Sequence, residues 1–300
     1  SLRCVQFTLK PLDENTIVAV ISALSKLPCL EDLTITAQTS MNTLAQLPSG
    51  SFASLRRAKF TVGVPALPLL STKFAAITNL ALDIVIETEA HALDALAGLP
   101  LENLEIRVCA GVTLSSPELL FLQNAKHLRS LIIKPQLLNP MGAMSSFEIS
   151  NSHFEQIFAK LSALETLLIW FALDMPSSDN IMKKLGQSCP KLGNVRLYIP
   201  LDLMAWLDVS MPLFPNLKFA WVSCVSDQSN DGPNDQHISG EDMDTSAELM
   251  AQVLDRHAPN LDRFVALNSY HFRPKNADQL SSLVMRWHGR IKETGQTRHA

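Results

Sequence analysis

Read only for apolar and polar positions, the chain repeats one short pattern, LxxLxΦ with Φ apolar, from end to end. Clear copies are Leu30-Leu33-Ile35, Leu101-Leu104-Ile106, Leu128-Leu131-Ile133, Leu164-Leu167-Ile169 and Leu192-Val195-Leu197. Weaker copies are Leu2-Val5-Phe7, Leu55-Ala58-Phe60, Ile77-Leu80-Leu82, Leu217-Ala220-Val222 and Leu261-Phe264-Ala266. Their first residues stand at 2, 30, 55, 77, 101, 128, 164, 192, 217 and 261, so successive copies are 22 to 44 residues apart. A recurrent spacing in the range of roughly 20–50 residues is the mark of a stacked repeat protein.

Within each copy apolar and polar residues alternate, the period of a strand with one buried face. Between copies the period lengthens toward 3.6: Ile17, Val20, Ile21, Leu24 and Leu27 fall on one helical face, behind Asp13 and Asn15 as candidate caps. Further helices are predicted at about 89–98, 116–125, 151–161, 178–188, 246–257 and 276–290. Pro28, Pro190, Pro215 and Pro259 stand just before strand motifs, where proline ends a helix and biases the chain toward extended structure. Strands that alternate with helices return parallel to one another. The predicted fold is therefore α/β: one solenoid over residues 1–300, a horseshoe of about ten irregular repeats with parallel strands on its concave face and helices on its convex face.

Two intervals are long. The 36-residue one holds a Pro-, Gly- and Ser-containing insertion at 135–152, and the 44-residue one holds an acidic insertion at 227–246, read as flexible. Asp227, Asp231, Asp235, Glu241, Asp242 and Asp244 in the latter do not have the spacing of an EF-hand loop. Residues 276–290, with Leu280, Leu283, Val284 and Trp287 at helical spacing, read as a helix that caps the open end of the core.

Composition narrows the function classes. A hydrophobic fraction of 47% supplies a continuous core, and a net charge of -4 gives no long-range attraction to phosphate backbones, so nucleic acid is not an expected partner. No stretch has the roughly 18 uninterrupted apolar residues of a membrane span, and no signal sequence opens the chain. Cys4, Cys29, Cys109, Cys189 and Cys224 are odd in number and form no CxxC or CxH pair, and they read as buried thiols of a reducing, intracellular compartment, cytoplasmic or nuclear. The start at Ser1, directly in a strand-like segment, reads as a fragment.

No phosphate-binding loop, nucleophile elbow or paired-ligand metal motif is present, and the histidines read as exposed or hydrogen-bonded. The sequence therefore points to a non-enzyme without metal or cofactor. What it does place together is a surface. Strand residues at the second, fourth and sixth positions after the first Leu face away from the core. Early repeats set Asp32, Thr34, Arg57, Lys59, Thr61, Asn79, Asp83, Asn103, Glu105 and Arg107 there. Later ones set Ile132, Lys134, Leu168, Trp170, Arg196, Tyr198, Phe219, Trp221 and Arg263, a composition of aromatic residues and arginine expected of a protein-binding patch. The competing reading is that the 135–152 or 227–246 insertion, or the C-terminal segment, folds over these aromatics and buries them.

On these motifs nearly the whole chain resembles the leucine-rich-repeat family, of the helix-bearing type seen in ribonuclease inhibitor. The family often has Asn or Cys eight positions after the first Leu. Here those positions are Lys10, Gln38, Gly63, Val85, Cys109, Gln136, Ala172, Pro200, Val225 and Ser269, and only Cys109 conforms. Irregular spacing without that ladder looks most like the repeat region of fungal F-box-type proteins. The resemblance implies a substrate-recognition region of a ubiquitin ligase, with a cullin-ligase adaptor as second partner through an F-box preceding Ser1. The alternative is a regulatory repeat protein, an enzyme inhibitor or GTPase activator, with no ligase role.

Overall fold

The computed structural model describes residues 2–7, 13–48, 50–85, 93–108, 114–136, 146–148, 150–170, 172–173, 179–226 and 240–266. Every LxxLxΦ copy becomes a strand that begins two residues after its first apolar position. The principal strands are β1 (Cys4–Phe7), β2 (Asp32–Thr39), β3 (Arg57–Gly63), β4 (Asn79–Val85), β5 (Asn103–Val108), β7 (Ser130–Pro135), β9 (Thr166–Ile169), β11 (Asn194–Leu197), β13 (Phe219–Val222) and β15 (Arg263–Ala266). They are parallel and ordered as in the sequence. Between them lie α1 (Glu14–Ser25), α2 (Met41–Ala45), α3 (Leu67–Lys73), α4 (Ser116–Leu119), α5 (Asn151–Phe158), α6 (Asp179–Ser188) and α7 (Gly240–His257).

The chain divides into two compact units. The first, residues 1–164 with 168–174, carries β1-β2-β3-β4-β5-β7 in one sheet, and Trp170 N–H, just after β9, donates to the Ile133 carbonyl at 2.9 Å. The second, residues 165–167 with 175–300, carries β11-β13-β15 in register, Phe219 opposite both Asn194 and Arg263.

The backbone explains why the repeat needs its spacing. In the first unit the carbonyls of Arg3, Glu31, Arg56, Thr78 and Glu102 each accept two successive N–H groups from the next repeat, at 2.7–3.1 Å. In the second, Glu165, Gly193 and Lys218 do the same, at 2.8–3.2 Å. Each acceptor directly follows the motif's first apolar residue, so that residue must be anchored. Leu30, Leu55, Ile77, Leu101, Leu128, Leu164, Leu192 and Leu217 are all buried, and each such side chain is worth about 1.5–3 kcal/mol of burial.

A second stitch runs outside the core. Ser54 Oγ donates to the Pro28 carbonyl at 2.7 Å, Asn216 Nδ2 to that of Pro190 at 2.9 Å and Asn260 Nδ2 to that of Pro215 at 2.6 Å. Pro28 and Pro190, which follow α1 and α6, and Pro215, which precedes β13, therefore also accept from the next repeat. In the second unit β12 (Pro200–Asp202) pairs in parallel with β14 (Cys224–Ser226), so backbone pairing stands where an Asn ladder would run. In the first, β8 (Ser146–Glu148) pairs with β6 (Leu114–Ser115) and β10 (Ala172–Leu173).

Helix content departs from the expectation in a regular way. The predicted helix at 89–98 is a 3-10 segment, Leu93–Gly98, and that at 116–125 is the single turn α4 followed by a 3-10 segment, Leu120–Asn124. Short repeats leave few residues for the return path, and a 3-10 turn rises about 2.0 Å per residue against 1.5 Å in an α-helix. The long last interval instead holds α7, 18 residues. That helix begins at Gly240, so Gly240 to Ser246, expected within the acidic insertion, are helical. The rest of the insertion and the predicted helix at 276–290 lie outside the described residues. The unforeseen helices α2 and α3 start at Ser40, whose Oγ accepts from Thr43 N–H at 3.1 Å, and at a Pro in the first turn.

The cysteines need correction. Cys189 is buried and burial pushes its thiol up to about 12, whereas Cys4 and Cys29 are exposed. Both exposed cysteines lie outside the buried LxxLxΦ positions, one entering β1 and the other just ahead of Leu30. His257 also departs from expectation. It is fully buried at the end of α7, its ring 5.9 Å from Trp206 and edge-on to it, and neither ring nitrogen makes an aligned hydrogen bond. Its pKa lies below the ordinary 6.5, chiefly because burial disfavours the cation and further because Arg256 is near; the Met211 and Trp206 carbonyls oppose that shift without reversing it.

Candidate functional site

Alternation along the strands puts one set of side chains in the core and the other on the opposite sheet face, and the two units dress that face differently. In the first unit the face is a polar grid. Asp32 and Arg57, opposite each other on β2 and β3, approach at 3.3 Å. Asn79 and Asn103 are register partners, and Asn103 Nδ2 donates to Asn79 Oδ1. Beyond them a chain of charges crosses three strands: Asp83 to Arg107 at 2.8 Å, Arg107 to Glu105 at 3.3 Å, and Glu105 to Lys134 at 2.9 Å. Asp83 is buried, and its contact with Arg107 is ionic rather than an aligned hydrogen bond. A depression of about 270 Å³ lies over this sheet, lined among others by Asp32, Arg57, Lys59, Asn79, Asn103, Glu105 and Ile132.

Of the predicted patch, Ile132, Lys134, Leu168 and Trp170 belong to this first unit and are all half-buried. Lys134 is engaged with Glu105, and Ile132 borders the depression.

The remaining five residues belong to the second unit. Arg196 (β11), Phe219 (β13) and Arg263 (β15) form a stack, with the guanidinium carbons 4.7 Å and 5.7 Å from the Phe219 ring centre. Rings of this kind attract cations over their faces through the quadrupole, which holds both arginines in place. Beside the stack Tyr198 and Trp221 lie 5.9 Å apart, tilted by 34°. Exposure differs among the five. Arg263 is exposed, Arg196, Tyr198 and Phe219 are half-buried, and Trp221 is 8% exposed, so the indole serves as a wall of the site more than as a contact surface.

The charge environment separates the two faces. In the first unit Arg57, Arg107 and Lys134 each have a carboxylate. Among the described residues Arg196 and Arg263 have none within ion-pair reach; they share the Phe219 ring. Sequence reasoning named these residues but not this pairing, which depends on register: Arg196 stands opposite Trp221, and Arg263 opposite Phe219. Among the described residues no group of three His, Cys, Asp or Glu side chains is placed to hold a metal ion, and no helix is long and apolar enough to cross a membrane.

Comparison with known proteins adds little to this picture. No protein-family model matches the chain, and no curated protein matches it. A solved chain in the crystal structure of the Rad7 and Elc1 complex in yeast is similar over 88% of this chain and 87% of its own, at 14% identity and a TM-score of 0.26. A likeness of that size carries no argument, so the functional reading rests on the residues themselves.

Proposed function

We propose that the chain is a non-catalytic scaffold that binds another protein across the exposed face of its parallel sheet, the concave face of a leucine-rich-repeat horseshoe. The Arg196–Phe219–Arg263 stack with Tyr198 beside it carries this reading, because Arg and aromatic side chains ordered on a rigid sheet are the residue types that dominate binding energy at protein interfaces. They are held at fixed spacing by strand pairing, so little conformational entropy is lost when a partner docks. On the first unit the proposed contact residues are Ile132, Lys134, Leu168 and Trp170. More specifically, the chain is the substrate-recognition region of an F-box-like ubiquitin-ligase subunit, a step supported by the family resemblance of its repeats and by no contact described above.

The test is isolation of the longest natural form with its stoichiometric partner, followed by hydrogen exchange of the complex. Protection of β11, β13 and β15 supports the sheet-face reading, and protection confined to the helices sinks it. Cullin-ligase adaptors in the complex support the ligase role; their absence beside another stoichiometric partner removes that role and favours the regulatory alternative.

A further inference from the structure

We infer that the second unit recognises an acidic segment of its protein partner, whose carboxylate or phosphate groups lie between Arg196 and Arg263 over the Phe219 ring. This rests on the scaffold reading and adds the chemistry of the partner. Three observations carry it. First, both guanidinium groups are fixed over one ring, 4.7 Å and 5.7 Å from its centre, so their donors are ordered before any ligand arrives. A guanidinium stacked on a ring still has its edge N–H groups available, and the planar fork of arginine matches carboxylate and phosphate.

Second, among the described residues no carboxylate lies within ion-pair reach of either guanidinium. The first unit shows that this sheet face can pair a cation with a carboxylate, as it does for Arg57, Arg107 and Lys134. Arg196 and Arg263 are not paired in that way; they stand on β11 and β15, the two strands that flank β13, and Arg263 is exposed. Third, the chain as a whole carries -4, so an acidic ligand is repelled at long range and can be held only by a local arrangement. Phe219 is half-buried and Trp221 nearly covered, so the site is a charged clamp on an apolar floor, in which charge–charge contacts are screened less than on an open surface.

The experiment measures binding of a fluorescein-labelled deca-glutamate peptide to the full 300-residue chain by fluorescence anisotropy, with deca-lysine as the opposite-charge probe. Deca-glutamate is expected to bind and to be released by raised salt, and deca-lysine not to bind here. The double variant Arg196→Gln, Arg263→Gln should weaken deca-glutamate about tenfold or more, since two charge-assisted contacts are lost together. Removing the same charge elsewhere, with Lys126→Gln and Lys160→Gln on exposed turns, should leave the affinity within about twofold. Circular dichroism melts establish that each variant is folded, and Arg263→Gln alone, at an exposed position, keeps the comparison open if the double variant unfolds. Equal binding by wild type and the Arg variants, or an equal loss in the Lys variants, overturns the inference. If hydrogen exchange still maps the natural partner to β11, β13 and β15 in that case, only the acidic chemistry has failed and the scaffold reading stands. If the partner maps elsewhere, the scaffold reading fails on its own test.

Discussion

Gly186 sits inside α6, where helix propensity alone favours replacement: alanine is better than glycine there by about 0.8–1 kcal/mol. Packing argues the other way. A methyl group at this position would lie 2.9 Å from Leu213 Cβ, 2.9 Å from the Leu213 carbonyl oxygen and 3.1 Å from Phe214 Cζ. A side chain could rotate away, but the carbonyl cannot. The segment that bears it is pinned, because Phe214 N–H donates to the His257 carbonyl at 2.8 Å and its ring packs 5.6 Å from that of Trp206. Overpacking a core costs about 1–3 kcal/mol against the propensity gain of about 0.8–1 kcal/mol, and contact with a pinned carbonyl puts the cost toward the upper end, so Gly186→Ala should destabilise by up to about 2 kcal/mol. The assay is urea unfolding followed by far-ultraviolet circular dichroism, with Gly98→Ala as comparison. Gly98 closes a 3-10 segment and has nothing within 4 Å of an added methyl, so that substitution should be neutral or stabilising by up to about 1 kcal/mol. A Gly186→Ala protein as stable as wild type would refute the close-approach argument.

Four further outcomes follow from the same contacts. His257 binds a proton near 6.5 when unfolded but only at lower pH when folded; the unfolded state therefore holds more protons in that window, and stability is full above 6.5 and declines as pH falls toward the folded value. The urea midpoint should be higher at about pH 8 than at about pH 5.5, and His257→Phe should flatten the difference. Arg107→Ala, which strands the buried Asp83, should cost about 2 kcal/mol, whereas Arg57→Ala at an exposed pair should cost less than about 0.5 kcal/mol in the same assay. Cys4 and Cys29 should react rapidly with a thiol reagent in the native protein and Cys189 only on unfolding, read by mass spectrometry of labelled peptides. Asn216→Ala and Asn260→Ala should each lose about 1 kcal/mol, the worth of one stitch to the preceding repeat.

The strands were legible because one residue type does two jobs. In most motifs the first apolar residue is both a core anchor and the fixed point that presents the next carbonyl to two N–H donors, as at Leu30, Leu55, Ile77, Leu101, Leu164, Leu192 and Leu217, so the copies announce themselves. Return paths were less legible. Whether a segment such as Leu93–Gly98 coils as α or 3-10 depends on the distance it must span, which its own residues do not encode. The stitches had a signal that went unread: Pro215-Asn216-Leu217 and Pro259-Asn260-Leu261 share a Pro-Asn-Leu motif, and each Asn donates to the carbonyl of the proline that stands before the preceding strand motif. His257 escaped because the sequence does not show what packs over the end of α7, where Trp206 lies edge-on to it and Phe214 packs on Trp206.

The face residues were named by period-2 alternation, yet what each can do was decided by its neighbour one strand away. Arg107 and Arg196 look alike in sequence, both at alternate positions of a motif strand. Arg107 has Asp83 at 2.8 Å and Glu105 at 3.3 Å, so a partner carboxylate arriving there would have to displace a charge already in place and would gain little net energy. Arg196 lies over the Phe219 ring with no carboxylate among the described residues in reach, and a partner carboxylate there adds an interaction without displacing one of these. The same backbone frame thus offers closed electrostatics in the first unit and open electrostatics in the second. Selectivity for an acidic partner should accordingly respond to substitutions on β11 and β15 and be nearly indifferent to those at the paired charges of β4 and β5.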